Sequence, residues 1–420
     1  MSYKKDRNLK DWSGTFSPPN QDGKLRVPFR EVGNRYSLEE VQAVVEAMQT
    51  DILTQGPYLK KFQEEFAEYI GTKYAFGVSS CTAALEIATQ LIGIKPGDEV
   101  IVPAITFIST VIPILRQGAR PVFADIDPFT YNITAETIKE KITSRTKAIY
   151  VVHLAGLPAD MDPIMDLAQK YNLTVLEDCA HAPGATYKGK KVGSIGKYGC
   201  FSFHTVKNMT TLGEGGMLTT NDDESAKDIP PLRWVGMKPF ENQKRYWIPF
   251  IYDIVKVRGC IPFNFCMGEI QAAVGRVQLK KLDKMNERRR ELAHRLSEGL
   301  KDMEEFTVPK EPEYAKHVYH LYPLLFNGEK FGATREDFMD MVYKDYGIKT
   351  VPHYLPVYLF SMFREMGYKP GECPGAEKIY SKLTNPPFNL LVSDEDIDYM
   401  IDSFKEAVKR LKRGERAKVD

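Results

Sequence analysis

One lysine in this chain stands in a context that favours covalent chemistry with an aldehyde. Lys207 lies in the run CFSFHTVKNMTTLGEGG ahead of a glycine-rich turn, and Asp178 follows an apolar run in LEDCAH. A lysine amine can form a Schiff base, and an anion can keep a pyridine nitrogen protonated. A strand-end carboxylate together with such a lysine is what pyridoxal phosphate (PLP) requires, although Lys207 alone would indicate little.

PLP also needs a phosphate site, and the chain offers one at the start of a predicted helix. In VSSCTAALEIA, the residues Ser80, Cys81 and Thr82 stand where a strand meets a helix. Free backbone amides and the helix dipole favour an anion there. Ser202, five residues before Lys207, could reach the same phosphate. Taken alone, Ser80 or Thr82 is better explained as a helix cap.

Two further residues have side chains suited to the pyridine ring. Phe107, in VPAITFIST, begins the helix after the next strand, so its ring could stack on the face of the pyridine. His181 follows Asp178 by three positions and could contact the ring hydroxyl. An isolated phenylalanine more often packs in a core, and the histidine could equally be a satisfied polar residue.

The composition indicates an ordinary globular protein and argues against several classes of function. The 420 residues carry a net charge of +1, which gives no long-range field for holding nucleic acid. The six cysteines form no CxxC pair, so we expect free thiols, a cytoplasmic setting and no metal site. The polar amino terminus and the absence of an apolar run of ~20 residues predict neither export nor membrane insertion.

The order of the predicted elements indicates an α/β fold. Apolar strand-like runs separated by amphipathic helices predict a large domain with a mainly parallel, seven-stranded-type sheet covered by helices. Ligands then bind at the carboxyl ends of the strands, where the motif residues lie. The predicted strands are AFGVSS, DEVIVPA, RPVFADID, KAIYVVHLAG, TVLEDCA, GCFSFH and GGMLTTN.

We expect three parts along the chain. Residues 1–30 form an amino-terminal arm, residues 31–267 the large PLP-binding domain, and residues 268–420 a smaller carboxyl-terminal α+β domain. The last part begins with a long linking helix at GEIQAAVGRVQLKKLDKMNERRRELAHRLSEGL. It continues with strand-like HVYHLYPLLFN and GIKTVPHY and ends in the helix IDYMIDSFKEAVKRLK.

Taken together, these motifs resemble the DegT family of PLP-dependent sugar aminotransferases, which have the aspartate aminotransferase fold (fold type I). The resemblance extends from about Phe29 to about Val408. It rests on TQGPYLKKFQEEFAEYIG, SSCTAALEIA, GDEVIVPAITFIST, GARPVFADID, LEDCAHAPGATYKGKKVGSIG, FSFHTVKN, EGGML, FNFCMGEIQAAVGRVQL and PHYLPVY. The succession ED, AH, FSF, K and EGG is seldom met elsewhere.

The resemblance implies a role for each candidate residue. Lys207 would be the Schiff-base lysine and proton shuttle, Asp178 the partner of the pyridine nitrogen, and His181 a neighbour of the ring hydroxyl. Phe107 would stack on the ring, and the residues near the phosphate would be Ser80, Cys81, Thr82 and Ser202. Asn264 of FNF would reach the phosphate of a neighbouring subunit, which implies a homodimer with composite active sites.

Four features depart from the family pattern. Cys81 replaces a frequent glycine beside the phosphate, and Leu212 is an extra residue before the EGG turn. Cys266, Met267 and Gly268 replace a frequent RMT or RMS, and Val235 with Gly236 replaces a frequent HG. The first two affect the cofactor loops mildly, whereas the last two leave the identity of the substrate open.

The reaction that the resemblance implies is a two-stage transamination. An amino acid, glutamate or glutamine, gives its amino group to the cofactor, and a keto-sugar then accepts it. The acceptor is most often nucleotide-linked, in amino-sugar, polysaccharide or antibiotic biosynthesis. Alternatives are a cyclitol ketone (inosose) as acceptor, sugar dehydration, and a non-catalytic regulator that keeps the PLP fold. Dehydrating relatives have histidine at the lysine position, whereas here His204 lies three residues before Lys207.

Candidates for binding the acceptor are weaker. The stretch MKPFENQKRYWIPF could contact a diphosphate and a base through Lys238, Lys244, Arg245, Tyr246 and Trp247. An exposed loop of routine amphipathic composition explains it equally well. His320, His353 and Tyr354 in the predicted smaller domain are weaker candidates again.

Overall fold

The computed structural model describes residues 25–239 and 252–417. Its α-helices are α1 Leu38–Met48, α2 Pro57–Ile70, α3 Cys81–Ile92, α4 Ile112–Arg116, α5 Ala135–Lys139, α6 Met161–Tyr171, α7 Asp223–Arg233, α8 Glu269–Leu300, α9 Arg335–Tyr346, α10 Ser361–Glu365, α11 Pro374–Tyr380 and α12 Asp394–Lys412. Its strands are β1 Tyr74–Val78, β2 Glu99–Pro103, β3 Arg120–Ala124, β4 Thr146–Val152, β5 Thr174–Asp178, β6 Thr186–Tyr187, β7 Lys190–Lys191, β8 Tyr198–Ser202, β9 Gly216–Thr220, β10 Met237–Pro239, β11 Tyr252–Ile254, β12 Phe306–Thr307, β13 Ala315–Lys316, β14 Leu324–Phe326 and β15 Leu383–Thr384.

Seven strands form one large sheet in the order β1, β9, β8, β5, β4, β2 and β3. Strand β9 is antiparallel to both of its neighbours, and the other neighbouring pairs are parallel. Strands β2, β8 and β9 are buried at every residue, which is why they appear in the sequence as continuous apolar runs. The predicted α/β class with a large, mainly parallel sheet is confirmed.

Helix α3 follows β1 and packs against β8 and β9 with most of its residues buried. Ser80 caps its start by accepting a hydrogen bond from the Ala83 N–H, and Gly93 ends it with a φ of 79°. Glycine adopts that left-handed conformation without steric cost, so the helix stops there. Only Ser79 and Ser80 separate the end of β1 from the first residue of α3, so the start of α3 lies at the carboxyl end of β1.

The predicted helix FISTVIPILRQG is instead divided into two shorter pieces. A 3-10 turn at Ile108–Thr110 precedes α4, and Phe107 is the cap residue of that turn. Pro113 lacks an N–H and is tolerated in the first turn of a helix, so the regular α-helix begins only at Ile112. The 3-10 turn leaves Phe107 and Thr110 beside the end of β2.

The carboxyl-terminal region has less strand than the sequence predicts. HVYHLYPLLFN forms a strand only at β14, directly after Pro323. GIKTVPHY forms isolated bridges, Val27 with Ile348 and Val351 with Asn385, instead of a strand. Proline cannot donate to a strand ladder, which accounts for the interruption at both sites, Pro323 and Pro352.

Two hydrophobic cores meet along the long helix α8. Its first half contributes Ala272, Leu279 and Leu282 to the core around the large sheet. Its second half contributes Leu292, Leu296 and Leu300 to a core with α9 and α12. Residues from Val357 to Leu383 pack on the large core although they follow α9 in the chain. The division at residue 267 stays a prediction, and most of the predicted arm lies outside the described residues.

Within the described ranges, no helix is both long enough and apolar enough to cross a membrane.

Candidate active site

The carboxyl ends of neighbouring strands bring several predicted residues to one edge of the large sheet. Strand β5 ends at Asp178 and β8 ends at Ser202. Gly216, the first residue of the antiparallel β9, pairs with Ser202 on one side and with Val78 of β1 on the other. The start of α3 therefore lies at the same edge as Asp178 and Ser202.

Asp178 is buried, with 4% of its surface exposed. The Thr110 hydroxyl donates to Oδ2 at 2.7 Å, and the Ala180 N–H donates to Oδ1 at 3.1 Å. Burial raises the pKa of Asp178, while these two hydrogen bonds and the Lys207 ammonium oppose the rise. A cation placed against this carboxylate would stabilise its ionised form.

The Lys207 side chain is buried in the same region. Its Nζ lies 3.4 Å from His320 Nε2. Burial lowers the pKa of the Lys207 ammonium to about 8, and the nearby Asp178 carboxylate and Cys81 oppose that shift. A much larger fraction of the Lys207 amine is therefore unprotonated near neutral pH than in an exposed lysine. The unprotonated amine is the form that attacks an aldehyde.

His181, Tyr354 and Phe107 line the space beside this pair. The Ala155 N–H donates to His181 Nδ1 at 3.3 Å, and His181 Nε2 lies 3.4 Å from the Tyr354 hydroxyl. Burial lowers the pKa of His181 well below its usual value, so the ring is neutral. Because Nδ1 accepts, Nε2 carries the proton and can donate to an oxygen. The Phe107 ring lies 6.1 Å from the Tyr354 ring.

The first turn of α3 has the properties of an anion site. Ser80 Oγ accepts from the Ala83 N–H at 3.2 Å, and the Thr82 hydroxyl donates to Ser109 Oγ at 2.9 Å. The first amides of an α-helix have no partner within the helix, so those of Cys81 and Thr82 are available to a phosphate. A Cβ on Gly216 would lie 2.4 Å from the Ser80 carbonyl carbon, so glycine permits this close approach.

Ser202 and Cys81 are both buried at this edge of the sheet. Ser202 is 6% exposed, and its Oγ accepts from the His204 N–H at 3.3 Å. Cys81 Sγ lies 3.9 Å from Asp178 Oδ1. Burial, followed by the Asp178 charge, raises the pKa of the Cys81 thiol well above its usual value, so it stays protonated and donates. The side chain that departs from the family glycine thus points to the carboxylate.

These features fit bound PLP. A protonated pyridine nitrogen would supply the cation that the buried Asp178 carboxylate favours. Phe107 is 53% exposed although it is a large apolar ring, so a stacked pyridine would cover it. The His181 Nε2–H can donate to the ring hydroxyl, and the turn of α3 can hold the phosphate. The residues present therefore match the ring, the aldehyde and the phosphate of the cofactor.

Asn264 does not lie within this group. It is exposed, bridges Trp234, and accepts a hydrogen bond from the Cys266 N–H at 3.2 Å. The next residue, Phe265, accepts from the Ser79 N–H through its carbonyl at 2.8 Å. The Asn264 segment therefore runs past the end of β1 at the surface.

The extra residue Leu212 is accommodated by an unusual backbone conformation. Leu212 has a φ of 65° and is 48% exposed. The Thr211 hydroxyl donates to the Glu214 carbonyl at 2.8 Å and closes the loop beneath it. The loop returns to β9 with the pairing of Ser202 and Gly216 intact.

The other departures lie beside α7 and α8. Val235 and Gly236 form a turn with φ angles of 44° and 79°. Cys266 Sγ donates to the Arg233 carbonyl at 3.7 Å, and Met267 is 2% exposed. Among the acceptor candidates, Lys238 is exposed at β10, whereas Lys244, Arg245, Tyr246 and Trp247 lie outside the described residues.

Two residues of the site were not identified, or only weakly, from the sequence. Thr110, which donates to Asp178, lies three positions after Phe107 in ITFIST, and that spacing on one helical turn was the available signal. His320 was only a weak candidate for the acceptor, yet it contacts Lys207. Its approach is a tertiary contact for which the local sequence has no signal.

Three buried residues next to the site are of types that often bind metal ions. His153, Glu177 and Cys179 bring ligand atoms within 4.8 Å of one another. The Glu177 carboxylate, however, accepts hydrogen bonds from the N–H groups of Gly193, Ile195 and Gly196, and from His153. Its oxygens are thus engaged in holding the turn before β8, which accounts for the cluster without an ion.

Comparison with known proteins identifies the same chemistry. The sequence profile of the "DegT/DnrJ/EryC1/StrS aminotransferase family" matches residues 35–405. The chain is 40% identical over 372 residues to the spore coat polysaccharide biosynthesis protein SpsC of Bacillus subtilis, covering 88% of this chain and 95% of SpsC. It is 37% identical over 373 residues to GDP-perosamine synthase of Caulobacter vibrioides, covering 87% and 94%.

The fold is shared with a solved structure. The putative sugar aminotransferase Spr1654 of Streptococcus pneumoniae in its PMP form superposes with a TM-score of 0.85 at 29% identity, covering 92% of this chain and all of that one. The same protein has also been solved in a PLP form.

Proposed function

Since the chain belongs to the DegT/DnrJ/EryC1/StrS aminotransferase family, we propose that it transfers an amino group from glutamate or glutamine to a nucleotide-linked keto-sugar. Family and fold make it a PLP-dependent sugar aminotransferase. Beyond that class, we propose the amino donor, the nucleotide linked to the acceptor and the roles of the catalytic and cofactor-binding residues. The names of GDP-perosamine synthase and of a polysaccharide biosynthesis protein among its relatives support an acceptor of this class.

The observation that carries the proposal is the buried pair of Lys207 and Asp178 at the carboxyl edge of the sheet. When bound, PLP supplies an electron sink for the reacting carbon. Asp178 would keep the pyridine nitrogen protonated, and its burial with two donors fixes the carboxylate in position. Lys207 would form the covalent link and, once released, move a proton between the substrate carbon and the cofactor carbon.

The surrounding residues would orient the cofactor. Phe107 would cover one face of the ring, and His181 would donate its Nε2–H to the ring hydroxyl. Ser80, Cys81, Thr82 and Ser202 would surround the phosphate at the start of α3. Since Lys207 occupies the reactive position, dehydration is disfavoured. A cyclitol ketone stays the alternative acceptor, and the experiment below distinguishes it.

We further propose a cytoplasmic homodimer in which Asn264 completes the phosphate site of the partner subunit. Ile261 and Phe263, which closely precede Asn264, are 78% and 63% exposed, and Ile52 and Leu53 are 54% and 53% exposed. The Leu53 carbonyl accepts from the Glu269 N–H at 3.0 Å, which joins the segment of Ile52 and Leu53 to the start of α8, five residues after Asn264. Such an apolar face is suited to a second copy of the chain. The six unpaired cysteines support a reducing compartment.

A half-reaction screen tests the chemistry directly. The purified, PLP-loaded protein is mixed with single amino acids, amino-sugar nucleotides or amino-cyclitols, and the absorbance of the cofactor is followed. We expect conversion to pyridoxamine phosphate by glutamate or glutamine and by an amino-sugar nucleotide. Conversion by an amino-cyclitol, and not by any sugar nucleotide, would replace the proposed acceptor.

Lys207→Ala provides the residue-level test. This variant should lose conversion, because neither the covalent link nor the proton transfer can form. Lys197→Ala is the matched control, since Lys197 lies just before β8 but pairs with Asp222 at 3.1 Å on the partly exposed side. Retained conversion in Lys207→Ala at the wild-type rate would contradict the role given to Lys207.

A further inference from the structure

His320 is a buried partner of the Lys207 amine, although it is 113 positions away in the chain. It is 4% exposed and lies in the segment between β13 and β14. Its Nε2 lies 3.4 Å from Lys207 Nζ, and its Nδ1 lies 3.2 Å from Asn208 Oδ1. The imidazole therefore bridges the lysine and the residue that follows it.

Two backbone carbonyls determine which nitrogen of His320 carries the proton. Asn286 Nδ2 donates to the Pro183 carbonyl at 2.9 Å, so Asn286 Oδ1 faces Asn208. Asn208 Nδ2 donates to that oxygen at 3.0 Å and to the Val318 carbonyl at 2.9 Å. Asn208 Oδ1 is then the atom that faces His320 and can only accept. His320 Nδ1 must carry the hydrogen, and Nε2 must present a lone pair to Lys207.

Burial and the surrounding positive charges keep the His320 ring neutral. Burial lowers its pKa well below the usual value, and Lys207, His181, Arg289 and His353 lower it further. The His181 ring lies 4.3 Å from it, centroid to centroid. Arg289 is fully buried on α8 and donates to the Gly33 carbonyl at 2.9 Å. A third cation beside Lys207 and Arg289 is strongly disfavoured, so the ring serves as a hydrogen-bond acceptor.

We propose that His320 is the positioning residue for the catalytic amine: its Nε2 accepts a hydrogen bond from Lys207 Nζ and holds that nitrogen in place whenever it is not attached to the cofactor. The Asn286–Asn208 pair on the other side of the ring fixes the tautomer that makes this possible. The inference rests on the proposed role of Lys207 and extends it. It assigns to His320 a function other than acceptor binding.

The position of Nζ matters because the side chain of a released lysine has several rotatable bonds and would otherwise sample many conformations. Holding it near the reacting carbon maintains the geometry that proton transfer needs. Nε2 also stabilises the ammonium form, since a charged donor makes the stronger hydrogen bond. Removing the acceptor should therefore lower the pKa of Lys207 further while slowing the amino transfer.

The variants His320→Leu and His320→Gln test this arrangement. Leucine removes the acceptor, whereas glutamine can still present an amide oxygen to Lys207. We expect His320→Leu to lower the rate of the glutamate half-reaction about 10- to 100-fold at saturating donor, with a smaller change in KM. His320→Gln should recover part of that loss.

A second measurement does not depend on turnover. The rate at which the full-length apoprotein captures PLP is recorded against pH, because capture requires the unprotonated Lys207 amine. The wild-type rate should rise through about pH 8, the pKa that burial gives Lys207. In His320→Leu the midpoint should move to lower pH, and in His320→Gln it should stay nearer the wild-type value.

His317→Gln is the matched control for the loss of a buried histidine. His317 lies three residues earlier, is 1% exposed, and accepts from the Tyr319 N–H at 2.9 Å without touching Lys207. Its variant should leave the capture midpoint unchanged.

The outcomes separate the inference from the function on which it rests. Capture of PLP by Lys207→Ala in a stable covalent form would overturn the role of Lys207 itself. If Lys207→Ala is inactive while His320→Leu matches the wild type in rate and midpoint, the positioning role alone is wrong. A shift of the midpoint in His317→Gln as large as that in His320→Leu would likewise reject it.

Discussion

Burial displaces the pKa values of two ionisable groups in this site in opposite directions. The pKa of Asp178 is raised, and that of Lys207 is lowered to about 8. Both shifts disfavour the charged forms, so the protein without cofactor bears a cost that a protonated pyridine would relieve at Asp178. A buried acid and a nearby buried amine with opposite pKa shifts are often found at functional sites, and here the hydrogen bonds of Thr110 and His320 to the pair support that interpretation.

The pH dependence of stability follows from the sign of the Asp178 shift. A carboxyl whose pKa is higher in the folded than in the unfolded state binds its proton more tightly when folded. Its contribution to the free energy of unfolding therefore falls as pH rises from the usual carboxyl pKa through the raised one. At neutral pH the burial of Asp178 therefore lowers the stability of the apoprotein.

Asp178→Asn should separate stability from function. Asparagine removes the buried charge and keeps an oxygen for the Ala180 N–H, so the apoprotein should unfold at the same or a higher temperature at neutral pH. The glutamate half-reaction should slow by about 10²- to 10³-fold, because charge developing on the ring loses its partner. Thermal unfolding of the apoprotein and the half-reaction rate check the two expectations.

Asp125→Asn is a suitable comparison for that variant. Asp125 also directly follows a strand, but its carboxylate accepts from the Gly375 and Ala376 N–H groups at the start of α11. This change should lower stability and spare the half-reaction. A marked loss of apoprotein stability in Asp178→Asn would contradict the assigned cost of burying its charge.

At the scale of elements, the site depends on helices and strands that begin and end at defined residues. Glu269, the first residue of α8, accepts hydrogen bonds from the N–H groups of Gly56, Tyr58 and Leu59 at 2.8, 2.7 and 3.0 Å. A carboxylate at the start of α2 satisfies amides that the helix cannot pair and complements its dipole. Glu269 thereby joins α2 to the long helix that carries Asn286 and Arg289.

Glu269→Ala should destabilise the protein by about 3 kcal/mol, because three buried or partly buried donors lose a charged acceptor. Chemical denaturation of wild type and variant measures the change. Glu298→Ala on the same helix is the control, since Glu298 is exposed and pairs with Lys301 three positions away. Its change should stay within about 0.5 kcal/mol. Similar losses of unfolding free energy in both variants would show that the hydrogen bonds of Glu269 to α2 contribute little to stability.

For the whole molecule, the proposed homodimer would determine whether each site is complete. Asn264 is exposed, on a surface that also presents Ile261 and Phe263. An isologous dimer buries the same patch on both copies, so the proposed dimer would have two equivalent composite sites.

Mixed dimers test the shared site. Co-expression of an Asn264→Ala chain with a Lys207→Ala chain should restore about a quarter of the wild-type activity if subunits pair at random, since half of the dimers would then hold one intact site. Each variant alone should be strongly impaired. Dimers of the correct mass that show no restored activity would contradict a composite site.

The sequence alone was sufficient for the local and periodic features of this protein. Apolar runs of strand length predicted the seven strands of the main sheet, because burial on both faces requires such runs. The order of Asp178, Lys207 and the glycine-rich turn predicted the cofactor, since each lies at a strand end or loop that the pattern identifies. Where proline intervened, as at Pro113 and Pro323, the lengths of the predicted elements were wrong.

Only the tertiary structure decided which distant side chains meet. His320 reaches Lys207, and Thr110 reaches Asp178 across 68 positions, because β2, β4 and β5 are neighbours in the sheet and the segment after β13 crosses their carboxyl ends. The proton position on His320 likewise depends on the carbonyls of Pro183 and Val318. The periodicity of a sequence indicates which face of a helix or strand is buried. Which side chain of another element meets that face depends on the order in which the elements pack.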